Sequence, residues 1–306
     1  MTNLFKVSIT MKKLFLAAAM AVVALTGCNN DNEQVLPEGK PEYITVSSHI
    51  GTFTRVATNG NSSSFEEGDR ISVYSWTGSA NVVDAAHLVV NNAVNTLQGG
   101  VWSATTMMRW TDMTTPHFFL SVYPSRAITD FMADAVTVDP LEQEESDLLV
   151  ATNPGNENQG LIATNNPVPL RFDHMMSKLV VQLEFRNEFN GMPAVTAVTT
   201  EARSTGTIDY LTGVTTPDGT AATFALPVVT AGQEYASIML PQSIQTVTVV
   251  IDGKNYVYTH PTPFSLVKGK IQTVRLIVGR NRIELDQVTI SDWETGEVIT
   301  GGEAFD

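Results

Sequence analysis

The 306-residue sequence predicts an all-β fold of the sandwich kind. From residue 42 onward, short runs rich in Val, Ile, Thr, Tyr and Phe recur, several alternating apolar with polar positions and bounded by Gly, Pro, Asn or Asp. Two such runs, "VTVVIDGKNYVYT", are joined by Asp252-Gly253, a pair suited to a two-residue hairpin turn. Apolar residues at helical spacing are nearly absent, apart from weak stretches at Thr129 to Ala135 and Leu141 to Leu149.

Taken in order, "YITVSSHI" (Tyr43 to Ile50) sets Ile44, Val46 and Ser48 against Thr45, Ser47 and His49. In "FEEGDRISVY", Gly68-Asp69 suits a turn, after which Ile71, Val73 and Ser75 oppose Arg70, Ser72 and Tyr74 in a core strand. "HFFLSVYP" follows. In "KLVVQLEF", Leu179, Val181 and Leu183 alternate with Val180, Gln182 and Glu184, the pattern of a half-buried strand. "ASIMLP", the hairpin and "KIQTVRLIV" complete the series. No repeat of fixed period is present. "NNPVPLR" (Asn165 to Arg171) reads as an extended, proline-bearing link, so the expected division is 42–170 for one sandwich domain and 171–306 for a second.

Ahead of the strands lies a segment of another character. Lys12 and Lys13 precede the apolar run Leu14 to Leu25, then come Thr26, Gly27 and Cys28, the order of parts in a secretory signal peptide. The run is shorter than the roughly 20 residues that span a bilayer as a helix. Leu25-Thr26-Gly27-Cys28 resembles the lipobox of bacterial lipoproteins, which implies removal of residues 1–27 and acylation of Cys28, the sole cysteine. Several acyl chains on one residue anchor stably where one holds only marginally. Residues 28–41 then form a polar tether, in which Asp31 and Glu33 resemble the acidic export signal of surface-exposed lipoproteins.

Composition narrows the function classes. The whole chain carries a net charge of −14; residues 1–27 hold three lysines and no acid, so the remainder carries 15 basic and 32 acidic residues, net −17. Such a chain repels phosphate backbones, and no nucleic-acid partner is expected. His49, His87, His117, His174 and His260 stand apart, with no spacing suited to zinc. No Gly-x-Ser-x-Gly elbow or EF-hand loop is present. Glu66-Glu67 and Glu144-Glu145 sit in polar, turn-like surroundings rather than as an acid pair facing a sugar. The expectation is no catalysis, no metal and no cofactor. His174, just before a strand, reads as a hydrogen-bonded structural residue.

Four stretches in a fixed order carry a further resemblance: "GTFTRVATNGNSSSFEEGDRISVYSW" (Gly51 to Trp76), "HFFLSVYPS" (His117 to Ser125), "ESDLLVAT" (Glu145 to Thr152) and "LRFDHMMSKLVVQLEF" (Leu170 to Phe185). Together, behind a lipobox, they resemble the fimbrillin family, the Mfa-like subunits and tip proteins of type V pili, over roughly residues 42–306. The resemblance implies two tandem transthyretin-like β-sandwich domains and export as a lipoprotein to the outer membrane. It also implies proteolytic removal of an N-terminal segment at an arginine, and polymerisation with other pilus subunits by β-strand donation. Arg55, in a Gly-, Asn- and Ser-rich loop, is the expected cleavage site, ahead of Arg70 beside a core strand. The expected donor lies in the tail, either "IELDQVTISDW" (Ile283 to Trp293) or "EVITGG" (Glu297 to Gly302). Whether the subunit is stalk, anchor or tip, and which host or bacterial surface ligand it meets, stays open. The alternative is a surface glycan-binding lipoprotein that stacks sugars on exposed Trp76, Trp102, Trp110 or Trp293, although tryptophan in a sandwich more often belongs to the core.

Overall fold

Branched and aromatic residues settle into strands through the computed structural model, which describes residues 43–50, 65–152, 159–189, 191–293 and the backbone of 298–300. In chain order the first strands are β1 (Val46–Ile50), β2 (Arg70–Thr77), β3 (Leu88–Gln98), β4 (Val101–Ala104), β5 (His117–Tyr123) and β6 (Asp134–Thr137). One helical turn, α1 (Gln143–Ser146), precedes β7 (Leu149–Thr152), β8 (Val168–His174), β9 (Ser177–Phe185) and β10 (Val195–Ala202). There follow β11 (Thr205–Asp209), β12 (Val214–Asp218), β13 (Ala222–Ala225), β14 (Val228–Thr230) and β15 (Glu234–Met239). The chain continues with β16 (Ser243–Ile251), β17 (Lys254–Ser265), β18 (Lys270–Val278), β19 (Ile283–Asp292) and β20 (Val298–Thr300). The fold is all-β, as the alternation predicts.

A seven-stranded sheet, β1-β8-β7-β5-β2-β3-β4, is drawn from the first part of the chain. The later part supplies a four-stranded sheet, β13-β10-β16-β17, and a six-stranded one, β14-β15-β9-β18-β19-β20. Sheet membership therefore changes between His174 and Ser177. A three-stranded sheet, β12-β11-β6, links the two parts, because β6 from the first pairs antiparallel with β11 from the second. A buried polar set fastens this junction. The Tyr210 hydroxyl donates to Asp134 Oδ2 at 2.7 Å, Arg126 Nη2 lies 3.0 Å from the same oxygen, and the Tyr74 hydroxyl donates to the Arg126 carbonyl at 2.8 Å.

Two strands of the seven-stranded sheet are buried on both faces. Ile71 and Val73 of β2 and Phe119 of β5 enter a core enclosed by the first part of the chain. Tyr74, Trp76, Phe118, Leu120 and Val122 join a second core shared with the later sheets. Fully burying each large apolar side chain contributes roughly 1.5–3 kcal/mol.

Three local expectations meet the structure differently. Asp252 and Gly253 take φ values of 50° and 76°, the left-handed pair that closes β16 onto β17 as predicted. Thr129 to Ala135 forms no helix, since its end is taken into β6; Leu141 to Leu149 yields only α1. Val180 of β9, expected to face outward, is buried, because it packs into the core shared by the two parts of the chain.

Candidate functional site

The alternation of "YITVSSHI" places Ile44 and Val46 in the enclosed core while Thr45, Ser47 and His49 face out. Among the described residues β1 is an edge strand with one strand neighbour. It runs parallel to β8, from Val46 opposite Val168 to Ile50 opposite Phe172, whereas the other pairings of this sheet are antiparallel. Parallel pairing is slightly the weaker of the two per residue.

On its other side the segment meets side chains and coil. Trp102 of β4 donates its indole N–H to the Ser48 hydroxyl at 2.7 Å, so the two ends of the sheet order face one another. The Ile44 N–H donates to the Met108 carbonyl at 2.9 Å, and Tyr43 forms an isolated bridge with Arg109. Asn166 steadies the entry to the segment: its Oδ1 accepts from the Thr45 N–H at 2.8 Å and its Nδ2 donates to the Thr45 hydroxyl at 2.9 Å. Phe65, where the described chain resumes, packs edge-on against Trp102, Tyr123 and Phe172. β1 thus fills a groove whose walls are β8 on one side and Trp102 with Met108 on the other.

The lipobox Leu25, Thr26 and Gly27, the acylation residue Cys28 and the cleavage residue Arg55 lie outside the described residues. Arg70 opens β2 with its side chain exposed. In the tail, the two donor segments differ in setting. Ile283–Asp292 is β19, held between β18 and β20, with Val288 and the following Trp293 buried. Val298–Thr300 of "EVITGG" is β20, the edge strand of the six-stranded sheet.

The remaining polar residues serve local structure. His174 Nδ1 lies 2.8 Å from Asp147 Oδ1, and its ring stacks on Trp293 with centroids 3.9 Å apart and an 11° tilt. His117 is fully buried; its Nδ1–H donates to the Thr115 carbonyl and its Nε2 accepts from the Thr111 N–H, while burial pushes its pKa down. Glu67 accepts from the N–H groups of Gly99 and Gly100, both at 2.9 Å, clamping the β3–β4 turn. Trp76, Trp102, Trp110 and Trp293 are 0%, 8%, 7% and 8% exposed, so none offers the open platform that sugar stacking requires. Among the described residues no group of three or more His, Cys, Asp or Glu is placed to hold a metal ion. No described helix is long and apolar enough to cross a membrane.

The comparisons with known proteins fit this geometry. The family model described as fimbrillin-like matches residues 54–293. The chain belongs to the fimbrillin-like family. Among solved structures, this fimbrillin-like chain is similar to a candidate cell adhesion protein of Bacteroides ovatus. The TM-score there is 0.64 at 16% identity, covering 84% of this chain and 99% of that one. It is also similar to a candidate cell adhesion protein of Bacteroides uniformis, with a TM-score of 0.60 at 19% identity over 75% of this chain and 93% of that one. At such identities the likeness shows the fold alone. A search of curated proteins finds no match.

Proposed function

We propose that this fimbrillin-like chain is a structural or adhesive subunit of a cell-surface fimbria. In this reading it is exported as a lipoprotein anchored to the outer membrane through Cys28. It is built as two tandem transthyretin-like sandwich domains, and it is polymerised by strand donation after cleavage at Arg55 removes the segment bearing β1.

One observation supports the assembly part of the reading: β1 is a parallel edge strand in an otherwise antiparallel sheet, and Arg55 follows it closely in sequence. Its loss would uncover the backbone of β8 and the pockets of Ile44 and Val46, each worth roughly 1.5–3 kcal/mol of burial. An open edge beside apolar pockets is a strong acceptor for another strand, since main-chain bonds give affinity and alternating side chains give register. A donor running antiparallel to β8 would also gain the better pairing geometry. Of the two tail segments, "EVITGG" is the better donor, because β19 carries buried residues of its own core.

The test is to load an Arg-specific protease onto the lipid-anchored chain and follow polymer formation. Ladders that appear with wild type and vanish with Arg55→Ala support the reading, and ladders unaffected by that substitution contradict it. Separately, Cys28→Ser should abolish incorporation of a fatty-acid probe, and retained label would sink the anchor.

A further inference from the structure

We propose that His117 is a pH-sensitive latch on the N-terminal strand: neutral, it pins the Met108 to Thr115 segment against which Tyr43 and Ile44 are held, and its protonation in mildly acid solution frees that segment and loosens β1.

His117 opens β5 and is 0% exposed. Both ring nitrogens are engaged. Nδ1 lies 2.8 Å from the Thr115 carbonyl, which can only accept, so Nδ1 carries the hydrogen. Nε2 is then the acceptor, for the Thr111 N–H at 3.2 Å and the Thr111 hydroxyl at 3.1 Å. Asp112 builds the turn that presents the Thr115 carbonyl: its Oδ1 accepts from the N–H groups of Thr114 and Thr115, at 2.7 and 2.6 Å, and its Oδ2 accepts from the Thr115 hydroxyl. The Trp110 ring packs edge-on against the imidazole, with centroids 5.0 Å apart. One histidine thus holds both ends of the Thr111 to Thr115 turn.

The same segment carries the start of the N-terminal strand. The Met108 carbonyl accepts from the Ile44 N–H at 2.9 Å, and Tyr43 bridges to Arg109. From His117 to Ile44 the connection runs through Thr111, Trp110, Arg109 and Met108, four consecutive residues. What happens at the ring is therefore felt where β1 is fastened.

A second proton on the ring has no good place. It would sit on Nε2 and face the Thr111 N–H, donor against donor. The Thr111 hydroxyl can turn to accept it, but the N–H then loses its partner. The cation would also be buried, and burial pushes the His117 pKa down, outweighing the Thr115 carbonyl and the Asp112 carboxylate, which pull it up. The surrounding charges are few. The segment itself contributes Arg109 and Asp112; Thr77 of β2 and Leu161, which lie alongside the His117 backbone, are uncharged; and His87 with Asp84, beyond Thr77, forms an exposed pair. Thr111 is exposed, so breaking its bond admits water to Nε2. With the turn open the ring titrates near its ordinary value of about 6.5, so at pH 5.5 the open form gains roughly a factor of ten over the closed, neutral one, and at pH 7.5 almost nothing. The latch does not depend on the fimbrial reading; within that reading it would make the place of β1 easier to vacate in acid.

The experiment is hydrogen exchange of the full chain between pH 7.5 and 5.5, read as protection factors so that the intrinsic pH dependence of exchange cancels, with nitrogen NMR of the His117 ring in the same samples. The expected result is an Nδ1–H ring at pH 7.5 and a fall of roughly tenfold in protection of the Ile44 and Thr111 amides by pH 5.5, beginning near about pH 6.5, which the Leu179 amide of β9 does not share. His117→Gln, which still offers an acceptor to Thr111 but does not titrate, should abolish the fall, while His49→Gln and His87→Gln should leave it. If His117→Gln does not fold, the wild-type profile decides: a flat profile, or one that bends only near about pH 4 where carboxylates titrate, overturns the latch. An Nε2–H ring, a fall shared by Leu179, a fall that persists in His117→Gln, or one abolished by His49→Gln or His87→Gln would overturn it equally.

Discussion

Trp102 and Ser48 join the two ends of the seven-stranded sheet through a single 2.7 Å hydrogen bond from indole N–H to hydroxyl. The bond crosses from β4 to β1, strands that share no ladder, and it ties the N-terminal segment to a residue of the enclosed core. Ser48→Ala would strand the Trp102 donor in a buried position, at a cost of about 1–3 kcal/mol. Denaturant unfolding should show that loss. Hydrogen exchange should show faster opening of Val46 to Ile50 than of β8, and equal protection of both strands would mean that the bond does not fasten β1.

His174→Phe and His174→Ala should separate two contributions at the β8–β9 corner. Phenylalanine keeps a ring against Trp293 and loses the Asp147 hydrogen bond, while alanine loses both. The alanine variant should be the less stable by about 0.5–1.5 kcal/mol or more, the weight of an aromatic pair beyond its area. Equal midpoints in a thermal melt would show that the stacking contributes nothing.

Tyr258 predicts a pH effect with a definite sign. Its hydroxyl is buried without a partner, and burial pushes the phenol up to about 12. In the unfolded chain the group titrates near about 10. Its contribution is therefore fully present below about pH 10 and lost as pH rises from there toward about 12. Burial raises Tyr74 and Tyr210 in the same direction. Tyr258→Phe removes an unsatisfied hydroxyl, so it should leave stability at pH 7 unchanged or raise it by about 1 kcal/mol and make the decline above pH 10 shallower. A steeper decline in the phenylalanine variant would contradict this.

Truncation distinguishes the two tail segments. A chain ending at Trp293 keeps Val288, Trp293 and the whole of β19, and should retain a cooperative unfolding transition close to that of the full chain. A chain ending at Gln287 loses half of that strand with two core residues and should unfold at much lower denaturant. In the fimbrial reading the first truncation folds but fails to polymerise.

Much of this arrangement was legible in local pattern. Alternation located β1, β2, β5, β9 and β18, and Asp252-Gly253 fixed the β16–β17 turn, because hairpin chemistry is written in adjacent residues. Pairings between distant segments left no such mark. Nothing in "DAVT" announces that β6 will join β11 some 70 residues later, and its neighbours even suggested a helix. The burial of β2 on both faces was hidden for a similar reason: Tyr74 and Trp76 could have been read as a second apolar face, but the core they enter comes from the other part of the chain.

The central claim is that β1 occupies a place later taken by a strand from another subunit. N-terminal sequencing of this chain recovered from assembled surface fibres tests it most directly. The account predicts a subunit beginning at Val56, with Tyr43 to Ile50 gone; a fibre subunit that begins at Cys28 and still carries β1 would contradict it.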